Sequence, residues 1–242
     1  MKKIEIEGEA VREPVRRAAR ALAAFLKWVL LGCATGVPAG AAGALLLLCV
    51  ARVTALRAAH GWLVFLLPAG GLLIVFLYRL CGAQNPQGTD LVIEAVHSSK
   101  KVPLKMAPLI FAGTVVTHLF GGSAGREGAA LQIGGSLGYG VGRAFRLNEK
   151  DLHLLTLCGM AACFSALFGT PVTATVFVAE VVSVGVMYYS ALVPCTVASL
   201  VGVGISRLLR FPPARYAVSG VPAVSWRSAA LVTVLAALCA AV

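Results

Sequence analysis

Gly121-Gly122-Ser123-Ala124-Gly125-Arg126-Glu127-Gly128-Ala129-Ala130-Leu131-Gln132 interrupts a chain otherwise dominated by long apolar runs. This stretch puts the ionisable Glu127 where a helix begins between segments suited to lipid. The glycines let backbone approach a ligand closely. The first N–H groups of a helix have no partner within it, so an anion can supply one. A charge within hydrocarbon costs at least a few kcal/mol, which makes an intramembrane carboxylate a functional candidate before it is a structural cap.

The runs on either side support the membrane setting. Hydrophobic residues make up 59% of the 242 residues and charged ones 13%, with a mean hydropathy of +0.87, outside the balance of a soluble domain. Spanning candidates are residues 28–50, 61–80, 108–120, 151–168, 172–186 and 190–205. Several fall short of the about 20 helical residues that a core of about 30 Å requires. The expectation is an all-α, polytopic membrane protein with tilted, broken and re-entrant helices.

The net charge of +11, from 21 basic and 10 acidic residues, is unevenly placed. Lys2, Lys3, Arg12, Arg16, Arg17, Arg20 and Lys27 precede the first apolar run, and the positive-inside rule puts that end in the cytoplasm. The chain divides on this basis into a basic cytoplasmic or interfacial segment, 1–27, and a transmembrane domain, 28–242. Within the segment, residues 12–26 have the rhythm of a helix lying on the inner headgroups. It is too charged and too long for a secretory signal. Nucleic acid is excluded as its partner, since no aromatic interleaving or binding motif accompanies it. The connection 79–105, with Lys100, Lys101 and Lys105, is expected on the same side; Arg207, Arg210 and Arg215 are assigned to neither side.

Small residues indicate how the helices meet. Gly32, Gly36 and Gly40 recur every four residues, as do Gly134, Gly138 and Gly142, so each set forms a stripe along which another backbone can approach. Pro38 predicts a kink within the first set. Gly169-Thr170-Pro171 predicts a break between helices. The cysteines at 33, 49, 81, 158, 163, 195 and 239 contain no Cys-x-x-Cys pair and read as small packing residues, with Cys158 and Cys163 on different faces of one helix. No metal or cofactor site is expected. His60, His97, His118 and His153 stand apart from any nucleophile or ligand set, and no Gly-Lys-Ser/Thr follows the glycines, so an enzyme is not expected.

Gly125-Arg126-Glu127-Gly128 followed by Leu131-Gln132-Ile133-Gly134-Gly135 resembles the second signature of the CLC family of chloride channels and anion/proton antiporters. The similarity runs on through Arg146-Leu147 and the 169–171 break to Glu180. Upstream, Asp90-Leu91-Val92-Ile93-Glu94-Ala95 occupies the place of the first signature, so that roughly residues 30–210 are covered. The resemblance implies the front half of an inverted-repeat CLC-type fold. It also implies transport of halide anions, chloride or fluoride, with protons, by a multi-pass protein of the inner (plasma) membrane that is a homodimer at full length.

In that family the matching glutamate gates the path, blocking it when ionised and swinging out when protonated; the role falls here on Glu127. Physical chemistry agrees, because a helix start favours a carboxylate anion while burial disfavours the charge, and the opposition keeps such a group titratable. Backbone N–H groups of Gly125, Gly128, Ala129 and Ala130 are candidates to face the anion. Arg126 either sets the local field or partners nearby carbonyls.

The chain also departs from the family pattern. Ala129 replaces the usual proline, and the serine of Gly-Ser-Gly-x-Pro is absent: aligned on Glu94, the stretch reads Gln87-Gly88-Thr89-Asp90-Leu91, with Gly88 in the serine's place and Thr89 the nearest hydroxyl. Val181 stands where many antiporters carry an inner proton-transfer glutamate. A bacterial branch that includes fluoride/proton antiporters alters the same positions, and a passive channel fits Val181 equally. The 15 residues 228–242 would span only about 22 Å as a helix, so the chain reads as the front half of a longer protein. The rival expectation is a non-transporting membrane fragment or accessory subunit in which Glu127 merely caps a helix.

Overall fold

The computed structural model describes residues 2–83, 88–98, 101–182, 188–211, 220 and 225–241, with side chains from Arg16 onward except that of His97. Gln87, Lys100 and Arg215, the end of the 172–186 run, and the side chains of Lys2, Lys3 and Arg12 lie outside the described residues. Regular structure among the described residues is helical throughout: α1 (Lys2–Ala59), a 3-10 turn (Gly61–Leu66) leading into α2 (Leu67–Leu80), α3 (Thr89–His97), α4 (Met106–Leu119), α5 (Glu127–Ala144), α6 (Glu149–Phe168), α7 (Pro171–Val181), a second 3-10 turn (Tyr189–Ala191) into α8 (Leu192–Leu208), and α9 (Trp226–Ala240). The apolar runs 28–50, 61–80, 151–168 and 190–205 fall within these helices or turn-helix units, 108–120 ends one residue past α4, and the described part of 172–186 is largely α7. By length and composition four helical stretches, Arg16–Ala59, Gly61–Leu80, Glu149–Phe168 and Tyr189–Leu208, are able to cross a membrane. At 1.5 Å per residue α3 reaches only about 14 Å, too short to cross a bilayer.

The centre of the bundle is α6, apolar on all sides and wrapped accordingly. Leu155, Leu157, Met160, Ala161 and Cys163 are fully buried. Its start is capped by Asn148, whose Oδ1 accepts from the Asp151 N–H at 2.9 Å. Its end is the left-handed Gly169 (φ 74°), after which Pro171 opens α7, so the break expected at 169–171 is present.

Glycine spacing sets the helix contacts. A Cβ at Gly134 would collide with the Gly159 carbonyl, and one at Gly138 with the Leu155 carbonyl; at Gly142 it would lie 2.6 Å from Leu152 Cδ2. As residue numbers rise on α5 they fall on α6, so the two helices are antiparallel. On α1, a Cβ at Gly32 would lie 3.0 Å from Pro194 O, one at Gly36 2.8 Å from Val201 Cβ and one at Gly40 2.5 Å from Gly202 Cα, an order that makes α1 and α8 parallel. At Gly43 a Cβ would stand 2.6 Å from Cys163 O, so α1 also packs closely on α6. Lys27 ties the start of α6 to α1 through Asp151 at 2.5 Å.

Helix α1 stays helical through Pro38, with glycine contacts on both sides of that residue packing its backbone against α8 and α6. Residues 12–26 are helical and continuous with the apolar run that follows. The cysteine reading needs a correction, since Cys81 and Cys239 are exposed. Cys158 and Cys163 do take different faces, Cys158 meeting Cys195 of α8 (Sγ–Sγ 3.9 Å) and Cys163 meeting Gly134 of α5.

Candidate functional site

Two helix starts separated by almost 40 residues of sequence come together beside one cavity. The first is that of α3. Gly88 precedes it with φ 62° and ψ −143°, a left-handed conformation costly for any side-chain-bearing residue. The second is that of α5, where the first helical hydrogen bond runs from the Ala130 N–H to Arg126 O at 2.9 Å. Among the described residues the N–H groups of Glu127, Gly128 and Ala129 find no acceptor, as expected of a first turn.

The cavity encloses about 400 Å³ and opens to one side. Gly88, Gly125, Gly128, Ala129 and Gln132 line one wall; α2 and α4 supply the other, with Tyr78, Ile110 and Thr114. Gly128 has a steric reason to be glycine, since a Cβ there would lie 3.0 Å from the Thr89 hydroxyl oxygen. The Glu127 carboxylate folds back over the preceding loop, with Oε2 2.8 Å from where a Cβ on Gly125 would stand.

Of the residues singled out in the sequence, Gly88, Gly125, Gly128 and Ala129 share the cavity wall, and Thr89 joins them through Gln132, whose Nε2 donates to Thr89 Oγ1 at 3.3 Å. Ala130 is fully buried and its N–H donates to Arg126 O. Glu127 is exposed. Among the described residues the Arg126 side chain forms no hydrogen bond or ion pair. Gln132, Tyr78 and Thr114 were not singled out by sequence reasoning. The spacing of Gln132 four residues after Gly128 places both on one helix face and was the available signal; for Tyr78 and Thr114, on helices distant in sequence, there was none.

Residues 70–242 match the family model described as voltage gated chloride channel. A chloride/fluoride channel protein of Pseudomonas syringae pv. tomato is 42% identical over 176 residues, 72% of this chain and 39% of the relative. An H(+)/Cl(-) exchange transporter, ClcA, of Vibrio campbellii is 30% identical over 124 residues, 49% of this chain and 26% of the relative. Among solved structures, a CLC-type fluoride/proton antiporter superposes with a TM-score of 0.76 at 33% identity, over 83% of this chain and 51% of the antiporter. A slow cyanobacterial Cl-/H+ antiporter shares the fold, with a TM-score of 0.66 at 21% identity. This chain therefore spans about two fifths of the Pseudomonas relative and about half of the fluoride/proton antiporter. Apolar helices, broken elements and these matches agree: this is a membrane protein, and it belongs to the CLC family of voltage gated chloride channels.

Proposed function

We propose that the chain forms part of a transmembrane path for halide anions, fluoride among them, in which the Glu127 carboxylate is a protonatable gate. The observation that carries this reading is the meeting of the α3 and α5 starts at one cavity, with the Glu127 carboxylate lying over Gly125. Unpaired N–H groups at a helix start carry partial positive charge and attract an anion without the tight hold of a full cation. An ionised carboxylate resting there competes with a halide for the same donors. Protonation removes the competing charge and frees the side chain to leave, so one group admits the anion and binds a proton in the same event. Gly125 provides the space in which the carboxylate rests.

The names of the relatives support fluoride as well as chloride, and both a channel and proton exchangers occur among them. Val181 in place of an inner carboxylate removes one route for a proton on the side away from Glu127. In this reading the protein lies in the inner (plasma) membrane with the basic end of α1 in the cytoplasm, held there by Arg16, Arg17, Arg20 and Lys27. The full-length protein is a homodimer. The test is halide efflux from liposomes, followed with fluoride and chloride electrodes while external pH is varied. Glu127→Gln keeps shape and removes charge, so flux should become insensitive to pH and lose any coupling to protons. A Glu127→Gln protein that still moved protons against a halide gradient would remove the gate assignment.

A further inference from the structure

We propose that the basic stretch of α1 and the turn between α5 and α6 together form a binding surface for anionic phospholipid headgroups. The two meet across 124 residues of sequence, where Lys27 Nζ of α1 pairs with Asp151 of α6 at 2.5 Å. Because α5 and α6 are antiparallel, the end of α5 stands at that same level. The turn there is closed by hydrogen bonds from the Arg146 N–H to Arg143 O at 3.0 Å and from the Leu147 N–H to Gly142 O at 3.1 Å. It leaves Arg143, Arg146 and Lys150 exposed. Helix α1 adds Arg16 and Arg20, also exposed. Glu149 and Asp151 offset part of this positive charge, and α1 carries no acidic residue after Glu13.

Charge and shape together select lipid over a soluble polyanion. Arg16, Arg20 and Lys27, spaced four and seven apart, fall on one face of α1. Leu22, Phe25 and Leu26, on a different face, are 59%, 50% and 50% exposed. A basic face beside an apolar one suits the boundary between headgroups and acyl chains, where arginine stems lie along apolar surface while the guanidinium reaches phosphate oxygens. A soluble polyanion would meet the charge and leave the apolar face without contact. Length agrees with this placement. Residues 22–50 hold Lys27 as their one charged side chain. As a helix they measure about 43 Å against a hydrocarbon core of about 30 Å, so α1 crosses obliquely and turns its Leu22–Leu26 face toward the membrane. In the orientation proposed above, the surface meets the cytoplasmic leaflet.

The test uses the purified full chain in bilayers, with Trp28, next to Lys27, left as the reporter after Trp62→Phe and Trp226→Phe. Quenching of Trp28 by brominated phosphatidylglycerol and by brominated phosphatidylcholine, each diluted in the other lipid without bromine, gives the headgroup preference at this end of the bundle. That background should favour phosphatidylglycerol several-fold, and the preference should shrink in about 1 M salt, where the screening length is about 3 Å. Arg20→Gln and Arg143→Gln should each lower it by up to about fivefold, the worth of one basic residue at a membrane surface, and together by more. Arg20→Lys and Arg143→Lys should retain most of it. Arg207→Gln, at the opposite end of the bundle because α8 runs parallel to α1, should leave it unchanged. Equal quenching by the two lipids, or a preference that survives Arg20→Gln combined with Arg143→Gln, would overturn the proposal. The lysine variants losing as much as the glutamine ones would do the same, as would an equal fall in Arg207→Gln, which would mark an effect of net charge rather than of place. Reversal of the quenching by millimolar inorganic phosphate would make the ligand a free anion and reject the lipid. Loss of self-association in the double glutamine variant, with no headgroup preference beforehand, would give the surface to a second copy of the chain instead.

Discussion

Glu127 and Gly125 are two residues apart in sequence and nearly in contact in space, and that proximity has a consequence for the gate. A methyl group on Gly125 would lie 2.8 Å from the carboxylate oxygen, and since the oxygen is the end of a flexible side chain, it is the carboxylate that yields. Gly125 has no left-handed backbone requirement, so Gly125→Ala should fold normally. We expect it to raise halide efflux at neutral pH and to flatten its pH dependence, because the ionised side chain can no longer rest in the path; liposome efflux between pH 5 and 8 measures this. Flux and pH response equal to wild type would show that the carboxylate does not use the space over Gly125. Gly88 is a different case. Its φ of 62° strains any substitution, so Gly88→Ser, which restores a hydroxyl where the family has serine, should raise chloride transport relative to fluoride but lower the melting temperature. Unchanged selectivity in folded, active Gly88→Ser protein would remove this loop from the filter. At this scale the motif made Glu127, Gly125 and Gly128 legible, because glycine and an acid at a helix start are chemically unusual among apolar runs. That the Ala130 N–H is taken by Arg126 O was not legible, because the register of the first helical hydrogen bond decides which N–H is free, and one residue's shift in that register is invisible in sequence.

Helix contacts in this bundle are made by backbone meeting backbone, so the effect of a side chain depends on what faces it. Gly138 on α5 stands against the Leu155 carbonyl of α6, and neither backbone can give way without moving a whole helix. Gly138→Leu should therefore cost on the order of 3 kcal/mol or more in stability, at or beyond the upper end of ordinary overpacking. Gly204 on α8 has open space on its side, so Gly204→Ala should be neutral or stabilising by about 0.5–1 kcal/mol through helix propensity. Thermal unfolding in detergent distinguishes the two; equal melting temperatures for both variants would show that the glycine stripe is not a tight contact. Asn148→Ala, which removes the cap of α6, should cost about 1 kcal/mol by the same measurement. The four-residue glycine spacing was readable because it follows from 3.6 residues per turn. Which helix each stripe meets, and in which direction, was not, because that depends on pairing elements far apart in the chain. Pro38 lies within one such contact: α1 stays helical through it, with Gly36 and Gly40 on either side packed against α8.

On the scale of the molecule, burial is lopsided. Helix α6 is enclosed on all sides, whereas α9 has no buried residue and α2 buries only Gly70. Trp226 is 92% exposed and Trp62 58%. These faces are too apolar for water, and lipid contact can be read directly: in brominated-lipid vesicles the fluorescence of Trp62 and Trp226, each isolated by replacing the other tryptophans with phenylalanine, should be quenched more than that of Trp28, which is half-buried. Weaker quenching of Trp226 than of Trp28 would mean that protein, not lipid, covers α9. Amino-acid order alone was enough for the helical class, the membrane setting, the break at 169–171 and the place of the acidic residue at a helix start. Each of these follows from local chemistry: apolar length against bilayer thickness, glycine and proline at helix ends, and the cost of a charge among apolar neighbours. That Gly88 and Gly128 share a cavity, that Gln132 reaches Thr89, that α1 and α8 run parallel, and that Glu127 lies open over Gly125 emerged with the packing of the helices. Those relations join residues tens of positions apart, and they arise when antiparallel and parallel helices close against each other, a step governed by which backbones can approach rather than by what any one segment prefers.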